Sequence, residues 1–146
     1  ILDAVRDPGN MGTILRTAAA AGVDGVLLAP NCVDPFNPKV VRSSMGALLR
    51  LPLIQADWET IRQKTAVLQT AVATVSNGKS YSLVDWQKRS ALIIGGESNG
   101  AGKEALQLAD MQVTIPMAAQ VESLNAAMAT GILLFEIKRQ RLQPDG

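Results

Sequence analysis

Short apolar runs alternate with helix-like stretches from one end of the chain to the other. The runs at 1–5, 23–29, 51–56, 71–76, 91–95 and 111–115 are brief and mostly bounded by Gly, Pro, Asn or Asp, the pattern of β-strands. Between them helices are predicted over 11–21, 38–49, 58–69, 83–88 and 103–109, and a long one over 123–142 closes the chain. Pro38 behind Asn37 fits a first-turn proline after a capping side chain, and Asp57 before Trp58 is a second cap. The strands are continuously apolar rather than alternating, and each is followed by a helix. That pattern predicts an α/β fold, a parallel sheet with helices on both faces. No repeat, low-complexity tract or linker breaks it, so 1–146 reads as a single domain.

Composition narrows this picture. With 146 residues, 47% hydrophobic and 18% charged, the chain can bury a core and is not disordered. The absence of His excludes a Ser-His-Asp triad, a His-metal site and an imidazole acid or base, and no metal is expected. One Cys, Cys32, cannot form an internal disulfide and reads as a small buried or loop residue. No apolar run approaches the roughly 18–20 residues of a membrane span, no secretory leader opens the chain, and no membrane partner is expected; the expected location is the cytoplasm. A strand-like run that begins at Ile1 suggests the C-terminal part of a longer protein.

The formal charge of +1 excludes a strongly basic nucleic-acid clamp and leaves room for a local patch. Lys138-Arg139-Gln140-Arg141 is the densest basic cluster, open to two uses: complementing a helix dipole or touching RNA. Trp58 and Trp86 fall in helix-like segments and read as packing residues rather than base-stacking ones.

In open parallel sheets ligands bind beyond the carboxyl ends of the strands, and three loops there are unusual. The first, Arg6-Asp7-Pro8-Gly9-Asn10-Met11-Gly12, is turn chemistry leading into a helix that carries Arg16 among apolar residues. Asn10 and Arg16 could face one site, and an Arg fork suits a phosphate or a carboxylate. The second runs from Gly95 to Lys103 and lets backbone approach a ligand, yet it is neither a Walker A loop nor a dinucleotide fingerprint. The third, from Ile115 to Asn125, is an extended, mostly uncharged approach to the last helix. There Ser123 reads as the N-cap and Asn125 as a first-turn residue.

Together these segments resemble the SpoU family of the SPOUT class, S-adenosyl-L-methionine (AdoMet)-dependent RNA ribose 2′-O-methyltransferases. The resemblance lies in Asp7-Pro8-x-Asn10-x-Gly12-x-x-x-Arg16-Thr17-Ala18, in Gly95-x-Glu97-x-x-Gly100, and in Ile115-Pro116-Met117 with Ser123-Leu124-Asn125 and Ala129-Thr130-Gly131. It implies an α/β fold with a deep C-terminal trefoil knot and a homodimer with active sites near the subunit interface. It implies AdoMet contacts at Thr74, Gly95, Gly100, Ile115, Met117 and Leu124. Asn10, Arg16, Glu97, Ser123 and Asn125 would form the catalytic and RNA-facing set. The implied reaction is methyl transfer to a ribose 2′-hydroxyl, with ribosomal RNA as the expected partner. A tRNA enzyme of the same family and a catalytically silent RNA-binding module are the alternatives.

Methyl transfer of this kind needs the sulfonium and the hydroxyl held in line and a way to lose the hydroxyl proton. The acceptor candidates are Glu97, a substrate phosphate, water and Arg16. A guanidinium resists deprotonation, so Arg16 is better suited to holding a phosphate and stabilising the developing alkoxide, with Asn10 fixing its geometry. Glu97 has a second use open to it, bonding backbone amides of its own loop.

Overall fold

Residues 91–94, Ala-Leu-Ile-Ile, offer no polar face, and such a run is stable only with apolar partners on both sides. The computed structural model, which describes residues 1–142, places this run in the middle of the sheet. The strands are β1 (Leu2–Asp3), β2 (Val26–Leu28), β3 (Leu53–Gln55), β4 (Gln69–Ala73), β5 (Lys79–Ser80), β6 (Ser90–Gly95) and β7 (Met111–Thr114). The helices are α1 (Pro8–Ala21), α2 (Pro38–Ser43), α3 (Trp58–Thr65), α4 (Lys103–Leu108) and α5 (Ala126–Leu142), with short 3-10 turns at Ala47–Leu49 and Tyr81–Leu83. All strand pairings are parallel, in the order β3-β2-β1-β6-β4-β7-β5.

Both faces of the sheet are covered, as the continuous apolar runs require. Leu92 and Ile94 of β6 join the larger core with Met11, Ile14, Leu15 and Ala18, an i, i+3, i+4, i+7 stripe on α1, and with Leu133 and Ile137 of α5. Ile93, one residue out of phase, turns to the other face, where it meets Val72 and Ala105 with Trp58 packed alongside. Asp7 caps α1 by accepting the Asn10 N–H at 2.7 Å, and Gly22 ends it in the left-handed region at φ 80°. Asn37 and Asp57 cap α2 and α3 as their sequence positions suggest.

The structure departs from the sequence pattern in several places. Residues 38–49 do not form one helix: Met45 and Gly46 adopt φ 50° and 82°, and the chain restarts as a 3-10 turn. Residues 83–88 form no helix, because Val84 and Trp86 are both buried, a period of two that a helix cannot provide. The helix expected over 58–69 stops at Thr65, and the strand expected at 71–76 instead spans Gln69–Ala73, where its residues pair with β6 and β7. Seven strands form rather than six: β5, two polar residues beside β7, is too short to show in a hydropathy pattern.

The basic cluster near the C-terminus is engaged within the chain. Lys138 donates to the Ala20 carbonyl at the end of α1, and Arg139 pairs with Glu136 at 2.8 Å. Arg141 donates to the carbonyls of Trp86 and Lys88. With Gln140, which bonds Val84 and Trp86 backbone, Arg141 fastens the irregular 84–88 segment to α5. Trp86 packs rather than stacks: it is fully buried and its Nε1 donates to the Tyr81 carbonyl at 2.8 Å. Cys32 is a partly buried loop residue whose Sγ lies 3.4 Å from the Leu2 carbonyl, and burial pushes its thiol pKa up. No helix among the described residues is long and apolar enough to cross a membrane.

Trp86→Ala is expected to lower the unfolding free energy by about 3–5 kcal/mol, read as a drop in urea midpoint at constant m-value. Trp86→Phe, which keeps one aromatic ring in the core but gives up part of the indole volume and the Nε1 bond, should lose less.

Candidate active site

The carboxyl ends of β4, β6 and β7 open into a cleft of about 770 Å³, within the range of small-molecule sites. The loops that follow these three strands form its walls, and the first turns of α5 close one side. Thr74, Gly95, Gly100, Ile115, Met117 and Leu124 all line it, as do Glu97, Ser123 and Asn125. Sequence inspection did not single out Asn77, Leu106 or Leu133, which also line the cleft. A signal for Asn77 existed in the polar turn Ser76-Asn77-Gly78 after a strand. Leu106 and Leu133 look like any other helical apolar residue.

The loop at 95–102 is closed on itself. The Gly100 N–H donates to the Gly96 carbonyl at 3.0 Å, and the two glycines form an isolated antiparallel bridge. A Cβ on Gly95 would collide with the backbone of Gly100 and Ala101, and Gly100 sits at φ 64°. These glycines are thus required by the loop's own neck. The neck leaves Glu97, Ser98 and Asn99 exposed at the tip, facing the cleft.

A chain of side-chain hydrogen bonds joins the three loops. The Asn125 Oδ1 accepts the backbone N–H groups of Ala127 at 2.9 Å and Met128 at 3.2 Å. Its Nδ2 is therefore the end that donates, to Asn10 Oδ1 at 3.0 Å. That in turn leaves the Asn10 Nδ2 to donate to Glu97 Oε1 at 3.0 Å. Each amide orientation follows from the previous one, beginning at the N–H groups of the α5 terminus. Glu97 thus bonds to the first loop and not to amides of its own.

One expectation is corrected by this geometry. Asn125, not Ser123, is the N-cap: α5 begins at Ala126, the Ala129 N–H donates to the Asn125 carbonyl at 2.9 Å, and Ser123 is an exposed residue of the approach. The left-handed turn at Gln120, φ 77°, sits in an irregular 116–125 segment and delays the helix. Arg16, one turn past Gly12 on α1, is exposed, and neither it nor Asn10 lines the cleft. Among the described residues Arg16 makes no hydrogen bond or salt bridge.

Residues 1–135 match the family model described as the SpoU rRNA methylase family. An uncharacterised tRNA/rRNA methyltransferase of Synechocystis sp. is 44% identical over 144 residues, covering 97% of this chain and 53% of that protein. The 23S rRNA (guanosine(2553)-2′-O)-methyltransferase RlmP of Bacillus subtilis is 34% identical, covering 94% of this chain and 56% of its own length. Among solved structures, the AdoMet-bound rRNA methyltransferase of Sinorhizobium meliloti superposes with a TM-score of 0.90 at 41% identity, covering 97% of this chain and 56% of that one. The chain spans about half the length of the relatives it matches.

The two functions of Asn125 separate by substitution. Asn125→Ala loses cap and donor, and its thermal stability should fall by about 1 kcal/mol. Asn125→Asp keeps the cap acceptor, so melting should stay near wild type while the bond to Asn10 is lost.

Proposed function

The chain belongs to the SpoU rRNA methylase family, and we propose that it is the catalytic domain of an AdoMet-dependent RNA methyltransferase acting on a ribose 2′-hydroxyl in ribosomal RNA. The observation that carries this reading is the hydrogen-bonded set Asn10, Glu97 and Asn125 beside a cleft of about 770 Å³. Two similarities agree with it: one relative is named as a 23S rRNA 2′-O-methyltransferase, and one superposed structure as AdoMet-bound.

The cleft fits AdoMet in size and chemistry. Ile115, Met117 and Leu124 offer apolar contact, Thr74 a hydroxyl, and Gly95 and Gly100 backbone free of side chains. When bound there, AdoMet supplies a methyl group activated by its sulfonium. The protein's part is positioning and charge. Arg16, exposed and without a hydrogen-bond or ion-pair partner among the described residues, takes an RNA phosphate through its planar fork. Asn125 holds Asn10, and Asn10 holds Glu97 Oε1, which leaves the second carboxylate oxygen to receive the hydroxyl proton. Ser123, exposed at the cleft, completes the polar set toward the ribose.

Further architecture goes with this reading. A C-terminal knot is supported by β7 lying between β4 and β5: the 74–78 crossing spans the end of β7, past which the chain must travel to reach α5. The Thr74 N–H donates to the Val113 carbonyl at 2.8 Å, so the crossing lies close on β7. A homodimer is supported by Met128, Phe135 and Leu142, exposed apolar residues at seven-residue spacing along one face of α5. The chain spans about half the length of the relatives it matches, and we take it as one domain of an enzyme that works on RNA in the cytoplasm.

Calorimetry with AdoMet, followed by transfer of a labelled methyl group to ribosomal and transfer RNA, tests the proposal. Binding and transfer to ribosomal RNA are expected; transfer to tRNA alone would move the substrate, and binding without transfer to either would favour a silent module. Arg16→Ala is expected to weaken RNA binding by about tenfold or more, the worth of a charge-assisted contact, while AdoMet affinity stays unchanged.

A further inference from the structure

Asp3 is out of place by composition. It interrupts the apolar run Ile1-Leu2-Asp3-Ala4-Val5 and lies in β1, between β2 and β6 at the heart of the sheet, only 7% exposed. Burying a carboxylate there carries a large desolvation cost unless something offsets it. No salt bridge reaches it among the described residues. The hydrogen bond to its side chain comes from one place, the Gly102 N–H, which donates to Oδ2 at 2.7 Å across a sequence separation of 99 residues. Asp3 does not line the cleft, and nothing in the chemistry above uses it.

Gly102 is where the closed glycine loop ends and α4 begins. At the loop's other end, Gly95 pairs in register with Asp3 itself, and the Cα of Gly96 packs against the Ala4 carbonyl so tightly that a Cβ would collide with it. Ala4 accepts a left-handed φ of 53° at this contact, which is costly for a residue with a Cβ. The loop is therefore held at its entry by the backbone of Asp3 and Ala4 and at its exit by the Asp3 carboxylate. Gly100 and Ala101 at the exit line the cleft, and so does Leu106, one turn into α4.

We propose that Asp3 is a positioning residue for the cleft: its carboxylate anchors the exit of the 95–102 loop and the start of α4, and so sets the wall against which AdoMet is held. This rests on the functional reading above. Asp3 acts through Gly102, without touching the ligand. Because the anchor orders the wall before AdoMet arrives, losing it weakens binding and leaves the bound arrangement intact.

The test compares wild type, Asp3→Ala and Asp3→Asn, whose Oδ1 can still accept the Gly102 N–H. AdoMet affinity is measured by calorimetry, exchange of the Gly102 amide by hydrogen–deuterium methods, and KM and kcat with ribosomal RNA at varied AdoMet. Asp3→Ala should weaken AdoMet binding about 10- to 100-fold, the value of a buried bond to a charged acceptor, and expose the Gly102 amide to exchange. Its KM for AdoMet should rise by the same factor with kcat unchanged at saturation. Asp3→Asn should recover most of the affinity and the protection. AdoMet affinity equal to wild type in Asp3→Ala overturns the assignment. So does an Asp3→Asn variant as weak as Asp3→Ala although Gly102 stays protected. A wild-type chain that binds no AdoMet overturns the functional reading and, with it, this one.

Discussion

The side-chain amide of Asn10 hydrogen-bonds to both other loops of the candidate site at once. Its oxygen accepts a hydrogen bond from Asn125 and its nitrogen donates one to Glu97, so residues 10, 97 and 125 are bound into one unit. A parallel sheet brings the ends of its strands to one edge, but it does not fix the loops there relative to one another. Asn10 is itself fixed, because its backbone N–H is held by the Asp7 cap at the start of α1. The order of the site thus descends from two helix termini. The α1 cap holds Asn10, and the free N–H groups of α5 decide which way Asn125, and hence every later amide, faces.

A site without His has to obtain its chemistry from such orientation. Neutral amides carry no charge to be desolvated, so they can sit at the mouth of an apolar cleft and aim a single carboxylate. The glycine-rich loop completes the arrangement by bringing its own neck together and leaving Glu97 at the tip. Charge is managed in the same economical way. Arg139–Glu136 is the one ion pair among the described residues, and the last basic turn is occupied by backbone carbonyls of α1 and of the 84–88 segment. Arg16 stays exposed on α1. A net charge of +1 therefore hides an uneven distribution, with cations engaged near the C-terminus and open near the first loop.

Much of this was legible in the residues. The apolar runs announced a parallel sheet buried on both sides, and the structure packs the α1 stripe from Met11 to Ala18 against it. The residues expected around AdoMet do line one cleft, because turn chemistry at strand ends survives as loops whatever the tertiary details. Where the pattern misled, a long-range contact had overridden a local preference. Trp86 was drawn into the core by Gln140 and Tyr81, 54 and 5 residues away, and a predicted helix gave way to extended chain.

By itself the sequence determined the fold class, the absence of imidazole chemistry and the three loops of the candidate site, since each depends on residue type and spacing along the chain. Only the tertiary structure decided that Asn125 donates to Asn10 and that the Asp3 carboxylate meets the Gly102 amide. Those facts are set by which atoms meet across separations of about a hundred residues. Periodicity carries no information on that scale, because it describes a segment's faces and not what will be packed against them.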